Sequence, residues 1–492
     1  MALKFDKYKE AIFNFIENGS GNAVINAVAG SGKTFTITHA LKLIPKNEKV
    51  LFIAFNKHIK EELSSKLSKM GITNVDVMTV HSYGSRALYG AYKSILDNDK
   101  VYKIVKDLYH TWNIPSDLEN GYFGRVVRLV ELAKLTLSET VAELTEIAYQ
   151  HDIEIVNSEV ENALQVKKVS DTNIRVHDFN DMLYVPVKRK LNTKKFDWVF
   201  IDECQDLSVC AQELMKKAVA RNGRFIAVGD PNQCIYGFAG ADVNSFNKLK
   251  NIPNTVELPL SMTYRCSKVV TELAQKIVPE ISPLPDAPLG SINNNGKLEN
   301  IKSSDLILSR VNRPLVKLCL AFLSEGKKAF IKGRDIGKNI ANMLKKTKKQ
   351  DIGEALEALR FQREKMIKKM IYQKGITRGE AIETNAIQNF DDKVGAIEVL
   401  AGELISVKAV IDKIYQIFAD EKDGICLSSV HRAKGLEADR VFIVEPQTLP
   451  APWAKQDWEM EQEKNIEYVA YTRAKKDLIF IPQTEFTTYE IK

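Results

Sequence analysis

Cysteine is scarce in this chain of 492 residues, and the cysteines that occur are not clustered. No two of them form a Cys-x-x-Cys pair, the spacing that zinc sites and iron–sulfur clusters usually use. We therefore expect reduced, mostly buried thiols and no zinc or iron–sulfur site. The cysteines are Cys204, Cys210, Cys234, Cys266, Cys319 and Cys426.

Long apolar runs are missing as well. The first residues, MALKFDKYKE, carry charge from the start, and no stretch approaches the roughly 18 apolar residues of a membrane span. The chain also has no internal repeat and no low-complexity segment. We therefore expect a cytoplasmic protein without a membrane partner.

Charge of both signs is abundant, with a small basic surplus. Lysine and arginine number 70 against 63 for aspartate and glutamate, which gives a net charge of +7. One stretch, residues 345–378, holds eleven basic and four acidic residues, so its surplus equals that of the whole chain. Two interpretations stay open for this stretch: a solvated helix face, or a surface that binds a polyanion.

The length and the pattern of apolar residues indicate two domains. A chain of 492 residues exceeds the size at which one hydrophobic core stops growing. Short apolar runs rich in β-branched residues alternate with amphipathic helical stretches, which is typical of α/β domains with parallel sheets. The candidate strands are residues 23–27, 50–55, 198–201 and 224–228 in the first half, and 306–308, 425–429, 441–444 and 478–481 in the second.

Each half contains a long, mainly helical insertion. Residues 86–176 show no strand pattern and include VVRLVELAKL, with apolar residues at helical spacing. Residues 345–403 contain a basic amphipathic helix, and its apolar face holds Ile352, Leu356, Leu359, Met366 and Met370. The predicted domains are a first core of residues 1–85 and 177–255 around the insertion 86–176, and a second core of residues 256–344 and 404–492 around the small basic insertion 345–403.

A glycine-containing loop stands near the start of the chain. Residues 23–34 read AVINAVAGSGKT, an apolar strand and a loop that lead into the helical stretch TFTITHALKL. In this context backbone N–H groups and a helix N-terminus bind phosphate, Lys33 reaches the β- and γ-phosphates, and the Thr34 hydroxyl binds Mg²⁺. The predicted nucleotide-binding residues are Ala27, Val28, Ala29, Gly30, Ser31, Gly32, Lys33 and Thr34.

Two adjacent carboxylates follow another apolar strand, in the segment FDWVFIDECQD at residues 196–206. Asp202 suits the ligand shell of Mg²⁺, and Glu203 suits a general base that orients the attacking water. Alone, an Asp-Glu pair would be an ordinary helix cap or a solvated surface. Behind four apolar residues, in a chain with a phosphate loop, it indicates hydrolysis of a nucleotide.

Six segments, taken in order, resemble the helicase motifs of the UvrD/Rep family of superfamily 1. They are AVAGSGKT, IDECQD, VGDPNQCIYGFAGAD, TYRC, SSVHRAKGLEADRVFIVEP and EYVAYTRAKKDL, while TVHS and DFNDML resemble two accessory motifs. The resemblance covers the chain almost end to end, except for the two insertions. It implies an α/β protein with two RecA-like parallel-sheet core domains of the P-loop NTPase fold, and ATP and Mg²⁺ bound in the cleft between them.

The resemblance also assigns roles at the nucleotide. Gln233 is similar to the γ-phosphate sensor, and Arg265 and Arg473 resemble the two arginines that the second core domain offers to the γ-phosphate. The chemistry agrees, because the planar fork of arginine stabilises the charge of a transferring phosphoryl group. Tyr264 resembles the ring that stacks on adenine, and Glu437 resembles an acidic residue near the ribose and the DNA.

For DNA, the resemblance points to aromatic and imidazole rings near the motifs. A base-stacking ring tolerates any sequence and is worth about 1 to 3 kcal/mol per base. Taken singly, each ring is more often part of a hydrophobic core than a contact to DNA. The motif context favours DNA contact over the core only for Tyr236 and Phe238. The predicted DNA-binding residues are Phe55, His81, Tyr236, Phe238 and His431.

Two positions depart from the family pattern. The family usually has arginine in the tetrad that reads FAGA here, so Ala239 removes one expected contact. A glutamine that reads adenine normally precedes the phosphate loop, whereas FDKYKEAIF offers Tyr8 or Lys9 and no glutamine. Selectivity for adenine is therefore left open.

The resemblance implies an ATP-dependent DNA helicase that moves 3′ to 5′ on single-stranded DNA as a monomer and unwinds duplex junctions. Two alternatives stay open: a translocase that strips proteins from single strands, and a catalytically silent DNA-binding scaffold. A silent scaffold should have lost some of Lys33, Asp202, Glu203, Gln233, Arg265 and Arg473, and all are present. The pathway, whether repair, recombination or replication, is not readable from the sequence.

The basic stretch of the second insertion adds a hypothesis about duplex DNA. Its length leaves little core for a swivelling accessory domain, but its charges suit duplex phosphates ahead of the motor. The residues in question are Lys345, Lys346, Lys348, Lys349, Arg363, Lys365, Lys368 and Lys369.

Overall fold

The protein is described by a computed structural model that divides into two compact units, Met1–Ser261 and Met262–Lys492. Each unit is built on a parallel sheet, so the predicted fold class, α/β with parallel sheets in two domains, is confirmed. The residues described are 5–112, 114, 119–151, 153, 155, 158–235, 240, 242, 244–420 and 423–489.

The first unit has a six-stranded parallel sheet in the order β3-β2-β6-β7-β1-β8. All five residues of β2 are buried, as are most of β1 and β6, which is typical of parallel strands covered on both faces. The strands of this unit are β1 (Asn22–Ala27), β2 (Val50–Ala54), β3 (Val75–Thr79), β4 (Ile95–Leu96), β5 (Val176–His177), β6 (Phe196–Ile201), β7 (Val219–Gly229) and β8 (Thr255–Leu260).

Helices cover both faces of this sheet. Ile12 and Leu63 lie in the apolar core of one face, and Leu183 and Leu214 lie in the core of the other. The helices are α1 (Lys7–Asn18), α2 (Lys33–Ala40), α3 (Lys57–Lys69), α4 (Val80–Tyr92), α5 (Lys100–Tyr109), α6 (Glu119–Thr136), α7 (Val141–Gln150), α8 (Glu159–Thr172), α9 (Asp181–Lys188), α10 (Val209–Ala218) and α11 (Ser245–Lys250).

Helices α5 to α8 form a bundle with an apolar core of its own, which includes Val105, Val126, Leu129 and Val166. One expectation for this segment is wrong, because it contains strand structure. β4 pairs with β5 through only two residues of each strand, where the segment leaves and rejoins the rest of the unit. A pairing this short has no period that a sequence pattern could show.

The second unit has a seven-stranded parallel sheet in the order β11-β17-β16-β12-β15-β13-β14. A short separate pair, β9 with β10, lies beside α12. The strands are β9 (Met262–Thr263), β10 (Ser282–Pro283), β11 (Ser291–Asn293), β12 (Leu306–Ser309), β13 (Ala329–Lys332), β14 (Phe418–Ala419), β15 (Ile425–Ser429), β16 (Ala438–Val444) and β17 (Ala474–Ile481).

The longest helix of the second unit, α15, has the apolar face that was predicted. Ile352 and Leu359 belong to the same apolar core as the central strands, whereas Met370 lies in a small separate cluster farther along the helix. The first part of α15 therefore packs on the core of this unit. The helices are α12 (Lys268–Gln275), α13 (Arg313–Ser324), α14 (Arg334–Lys346), α15 (Ile352–Lys374), α16 (Arg378–Ile382), α17 (Asn385–Ala401), α18 (Val407–Ile417), α19 (Asp457–Tyr471) and α20 (Gln483–Tyr489).

All six cysteines are free thiols, and five of them are buried, as expected from the sequence. Among the helices of the described residues, none combines the length and the apolar character needed to cross a membrane.

Candidate nucleotide and DNA site

The phosphate loop connects β1 to α2. Gly30 and Gly32 have φ angles of +71° and +81°, values that residues with a side chain rarely adopt, and Gly32 is the N-cap of α2. Val28 N–H donates to the Leu260 carbonyl over 3.2 Å, and Ser31 N–H donates back to the Val28 carbonyl over 3.2 Å. These bonds hold the loop as a tight turn at the N-terminal end of the helix.

Lys33, the first residue of α2, points toward the end of β6. Its Nζ lies 3.2 Å from Oε1 of Glu203, and both side chains are largely buried. Glu203 has a φ of +52°, in the left-handed region that non-glycine residues enter at a cost of about 1 to 3 kcal/mol. This backbone conformation aims the predicted base at the predicted phosphate-binding lysine.

A chain of hydrogen bonds connects Glu203 to the predicted sensor, Gln233. Gln205 donates its side-chain amide to Glu203 Oε2 over 2.5 Å, and its carbonyl oxygen accepts the Asp230 N–H over 3.1 Å. Gln233 Nε2 donates to Asp230 Oδ2 over 2.7 Å. Burial raises the pKa of Asp230, while the nearby charge of Lys33 and the bond from Gln233 oppose that rise. Lys33, Glu203 and Gln233 are thus brought into one polar network.

The loop fits the phosphates of a nucleotide. The Ser31 hydroxyl is buried and has no hydrogen-bond partner among the described residues, so the loop holds a donor that a phosphate oxygen could accept. Asp202 is buried at the end of β6, and its Oδ1 accepts the Glu203 N–H. Within the described ranges, no three His, Cys, Asp or Glu side chains form a group that could hold a metal ion. Mg²⁺ would therefore rely on Thr34, Asp202, phosphate oxygens and water.

In the second unit, Arg265 and Glu437 form an ion pair. Arg265 Nε lies 2.7 Å from Glu437 Oε2, and its Nη1 donates to the Thr472 carbonyl over 3.1 Å. Lys475 holds the other oxygen of Glu437 at 2.8 Å. Tyr264, the neighbour of Arg265, is 46% exposed. The structure thus brings Arg265 and Glu437 together next to Tyr264.

Arg473 is almost completely buried, at 1% exposure. Its guanidinium donates to the carbonyls of Val469 and Leu436 and to the Thr472 hydroxyl, over 3.0, 3.2 and 3.3 Å respectively. Burial, and then the charge of Arg265, lower the pKa of Arg473 to about 9. Two cations are therefore held close together, and an anion placed beside them would be stabilised.

The predicted DNA-binding rings of the first unit lie at exposed or stacked positions. Phe55 follows β2 and is 45% exposed. His81, in α4, stacks on Phe179 with ring centroids 3.9 Å apart and planes inclined by 21°. Burial lowers the pKa of His81 to about 4, so its ring is neutral near pH 7. Tyr236 and Phe238, with Ala239, lie outside the described residues.

His431 lies in the 3-10 turn that follows β15. Burial, and then the charge of Arg310, lower its pKa to about 3, so it carries no charge for phosphate near pH 7. Any contact of this side chain with DNA would therefore be a neutral one.

Phe179 is held in place by buried ion pairs. Lys134 Nζ contacts Asp178 and Asp181 at 2.6 and 2.7 Å, and Lys100 Nζ contacts Asp181 at 2.7 Å. Both lysines come from the helical bundle of the first unit, on α5 and α6. The bundle thereby anchors the segment that presents Phe179, which is itself 53% exposed.

Lys9 lies in the segment before the phosphate loop, where Tyr8 and Lys9 are the two candidates for the position of the expected glutamine. Lys9 is buried, its Nζ binds Asp6 Oδ2 at 2.5 Å, and its Cε would lie 3.9 Å from a Cβ added at Gly32. Asp6 also caps α1 by accepting the N–H groups of Tyr8 and Lys9. Lys9 and Asp6 therefore stand beside the phosphate loop as a joined pair.

Sequence reasoning did not assign roles to Gln205, Asp230 or Phe179. All three lie inside motifs that were recognised, in IDECQD, VGDPNQ and DFNDML. The available signal was a polar or aromatic side chain within a motif at the end of a strand. Their contacts join segments about 25 to 100 residues apart, which no spacing rule encodes.

The fold and the site define a class of protein. A parallel sheet with a glycine-containing loop between its first strand and the next helix, and a carboxylate at the end of a nearby strand, is the arrangement of P-loop nucleotide-binding proteins. The model of the UvrD/REP helicase N-terminal domain matches residues 8–254, and that of the UvrD-like helicase C-terminal domain matches residues 334–485. The chain belongs to the UvrD/Rep helicase family.

Individual relatives agree with this assignment. A probable DNA helicase II homolog of Mycoplasma genitalium is 26% identical over 54% of this chain and 42% of its own length. The F-box DNA helicase protein 1 of Schizosaccharomyces pombe is 24% identical over 92% of this chain and 55% of its own length. The ATP-dependent DNA helicase PcrA of Staphylococcus aureus is 26% identical over 57% of this chain and 41% of its own length. The chain spans about half the length of these relatives.

Proposed function

We propose that this protein is an ATP-dependent DNA helicase that hydrolyses ATP with Mg²⁺ and moves along single-stranded DNA. The observation that carries the proposal is the polar network of the first unit, in which Lys33, Glu203, Gln205, Asp230 and Gln233 are joined. Family membership supplies the substrate class, and the network supplies the groups that hydrolysis needs.

Each residue of the network has a defined task. Lys33 and the N–H groups of the loop bind phosphate, while Thr34 and Asp202 hold Mg²⁺, which when bound neutralises phosphate charge. Glu203 accepts a proton from water and orients it. Gln205 and Asp230 keep Glu203 and Gln233 at fixed separation, so a shift of Gln233 on contact with phosphate is passed to the base.

Arg265 and Arg473 complete the chemistry from the second unit. Their charges suit the γ-phosphate, because two guanidinium groups stabilise the negative charge that develops in the transition state. Glu437 holds Arg265 by an ion pair, and Tyr264 offers a ring to the base. Alternating engagement of these arginines would alternate the grip of the protein on the strand.

Phe55 and the stacked pair His81–Phe179 support a single-stranded DNA track on the first unit. Tyr236 and Phe238 belong to the same proposed track. Movement in the 3′ to 5′ direction follows from the family alone. A duplex contact by the lysines at the end of α14 and in the turn that follows it is part of the proposal; these are Lys345, Lys346, Lys348 and Lys349. Arg363 is removed from it, because Asp391 binds this guanidinium at 2.6 and 2.7 Å.

The deciding experiment measures ATPase activity with and without single-stranded DNA and RNA, followed by strand displacement on duplexes tailed at either end. Stimulation by DNA and displacement from a 3′ tail are expected. Stimulation without displacement would show the translocase that strips proteins. The absence of hydrolysis under all conditions would show a silent DNA-binding scaffold.

A further inference from the structure

Helix α15 has an exposed face that its packing does not use. Ile367 and Met370 point into a small apolar cluster, while Phe361 is 64% exposed and Tyr372 is 90% exposed. Residues spaced by four, three and four positions lie on one side of a helix. Phe361, Lys365, Lys368 and Tyr372 have this spacing, and we call them the α15 stripe.

The charge that the α15 stripe presents is positive. Lys365 Nζ lies 4.8 Å from the centroid of the Phe361 ring, and no ion pair joins Lys365 or Lys368 to another residue that the structure describes. Glu364, the neighbour of Lys365 in the chain, is held through both oxygens by Arg378, at 2.8 and 2.9 Å. The lysines of the stripe are therefore the charges that a ligand would meet first.

Two other basic residues of α15, both arginines, are already paired within the unit. Arg360 binds Glu398 at 3.1 Å, and Arg363 binds Asp391 through two bonds. The α15 stripe offers two lysines between two exposed rings, so the matching ligand carries negative charge and also offers flat apolar faces. Single-stranded nucleic acid has both properties, because its phosphates are anionic and its bases can leave their stack. The bases of a duplex are stacked inside the helix and cannot use the rings.

We propose that the α15 stripe is a second binding site for single-stranded DNA, in which bases stack on Phe361 and Tyr372 and phosphates contact Lys365 and Lys368. The rings are 11 positions apart, which is about 16 Å along a helix axis at about 1.5 Å per residue. A strand with stacked bases about 3.4 Å apart covers that distance with about five nucleotides. The stripe thus accommodates a short segment of one strand. This inference rests on the proposed function, since it assumes that the protein acts on DNA.

The test compares the full chain with two double variants, Phe361→Ala/Tyr372→Ala and Lys365→Glu/Lys368→Glu. The control is Tyr149→Ala, which removes another ring that is 63% exposed, on α7. Fluorescence anisotropy measures the binding of fluorescein-labelled oligothymidylates of about 4 to 30 nucleotides at several salt concentrations. These lengths cover the site size of roughly 4 to 16 nucleotides that is typical of strand-binding grooves. Binding of a blunt duplex is measured alongside.

Removing both rings should weaken oligothymidylate binding at least about thirtyfold, since two stacked bases lose about 1 to 3 kcal/mol each. Blunt-duplex binding should not change, because only single strands can stack on the rings. Reversing both lysines should lower the salt slope for single strands by about 1.4, at about 0.7 per lost phosphate contact. Tyr149→Ala should leave both affinities unchanged. As a direct readout, Tyr372→Trp should show fluorescence quenching when oligothymidylate binds.

The outcomes separate this inference from the proposed function. If DNA stimulates the ATPase but the ring variant binds oligothymidylate like the wild type, the α15 stripe is a solvated helix face and the inference is wrong. If the ring variant loses the same affinity for blunt duplex as for single strands, the inference is also wrong, because the rings would then not act by stacking on bases. If DNA does not stimulate the ATPase of the wild type, the proposed function fails instead. Quenching of the tryptophan variant would then still support the stripe as a DNA site.

Discussion

Lys33 and Glu203 form an ion pair at the centre of the proposed nucleotide site, and each can be tested alone. Glu203→Gln keeps the shape of the side chain and an oxygen for Gln205 but removes the base, so ATPase activity should fall at least about a hundredfold. Nucleotide binding should persist in this variant. Lys33→Ala should lose both hydrolysis and tight nucleotide binding, because a phosphate contact disappears.

The measurements are steady-state ATPase with single-stranded DNA and titration with a fluorescent nucleotide. Glu213→Gln is the matched control, because this substitution makes the same change of charge on the exposed side of α10. Glu213 pairs there with Lys216. Turnover by Glu203→Gln at the wild-type rate would assign the base to another residue.

Arg473 should have a structural as well as a chemical role. Arg473→Ala removes three hydrogen bonds of a buried side chain, to the carbonyls of Val469 and Leu436 and to the Thr472 hydroxyl, each worth about 0.5 to 1.5 kcal/mol. We expect loss of DNA-stimulated ATPase together with a lower free energy of unfolding, measured by denaturant titration. Arg265→Ala, at a partly exposed side chain, should lose ATPase with little loss of stability. Equal stability of both variants would contradict the structural role of Arg473.

Selection of the nucleotide base should be weak. Lys9 stands in the segment where the family has an adenine-reading glutamine, and its ammonium is bound to Asp6. An ammonium donates only, whereas an amide offers both a donor and an acceptor to the edge of adenine. We expect values of kcat/KM for ATP and GTP that differ by less than about tenfold, in steady-state assays with single-stranded DNA. A strong preference for ATP would show that another group reads the base.

At the scale of elements, the end of α14 and the turn that follows it carry four exposed lysines. Lys346 and Lys348 are exposed, Lys345 lies near Tyr415, and Lys349 pairs with Glu354 at the surface. Reversing all four lysines to glutamate should weaken duplex binding and lower its salt slope by about three to four, at about 0.9 per phosphate contact. ATPase on single strands should change little, because the nucleotide site lies in other segments.

The control reverses four exposed lysines of the first unit, Lys42, Lys46, Lys66 and Lys69, which gives the same change in net charge. Duplex affinity and its salt dependence are measured by anisotropy at several salt concentrations. If both sets of reversals have equal effects, net charge alone is responsible, and the turn is an ordinary solvated surface.

The elements that were predicted from the sequence are those with a buried, continuous apolar pattern. Every candidate strand corresponds to an observed one, for example 425–429 to β15 (Ile425–Ser429). Of the strands that were missed, β3 (VDVMT) and β8 (TVELPL) lie at the two edges of the first sheet and are partly exposed, whereas β13 (AFIK) is mostly buried but only four residues long. A half-exposed strand with polar residues or proline does not differ from a loop in its local pattern.

The candidate site was predictable to a similar degree. Motif residues such as Lys33 and Glu203 were identified because chemistry requires those residue types after a strand. The connection from Glu203 through Gln205 and Asp230 to Gln233 was not predicted, because it depends on which strands are neighbours. The ion pairs of Lys100 and Lys134 were missed for the same reason: a lysine inside a helical pattern is usually on the surface, and here both are buried.

At the scale of the whole molecule, the proposed function requires groups from both units to act on one nucleotide. Lys33 and Glu203 belong to the first unit, and Arg265 and Arg473 belong to the second. In a monomeric enzyme both sets come from the same chain. A mixture of two inactive variants, one lacking Lys33 and the other lacking Arg265, therefore has no chain with a complete set.

We expect that an equimolar mixture of Lys33→Ala and Arg265→Ala proteins shows no DNA-stimulated ATPase beyond the sum of the two measured separately. The reason is that every chain still lacks either the phosphate-binding lysine or one arginine, and chains that act singly cannot exchange them. Steady-state ATPase is measured over a range of protein concentrations with saturating single-stranded DNA, and wild-type protein diluted with either variant serves as the control for inhibition. Recovery of activity that rises with protein concentration would show that arginines from one copy serve the nucleotide of another. The working unit would then be an oligomer, and the expectation of a monomer would be wrong.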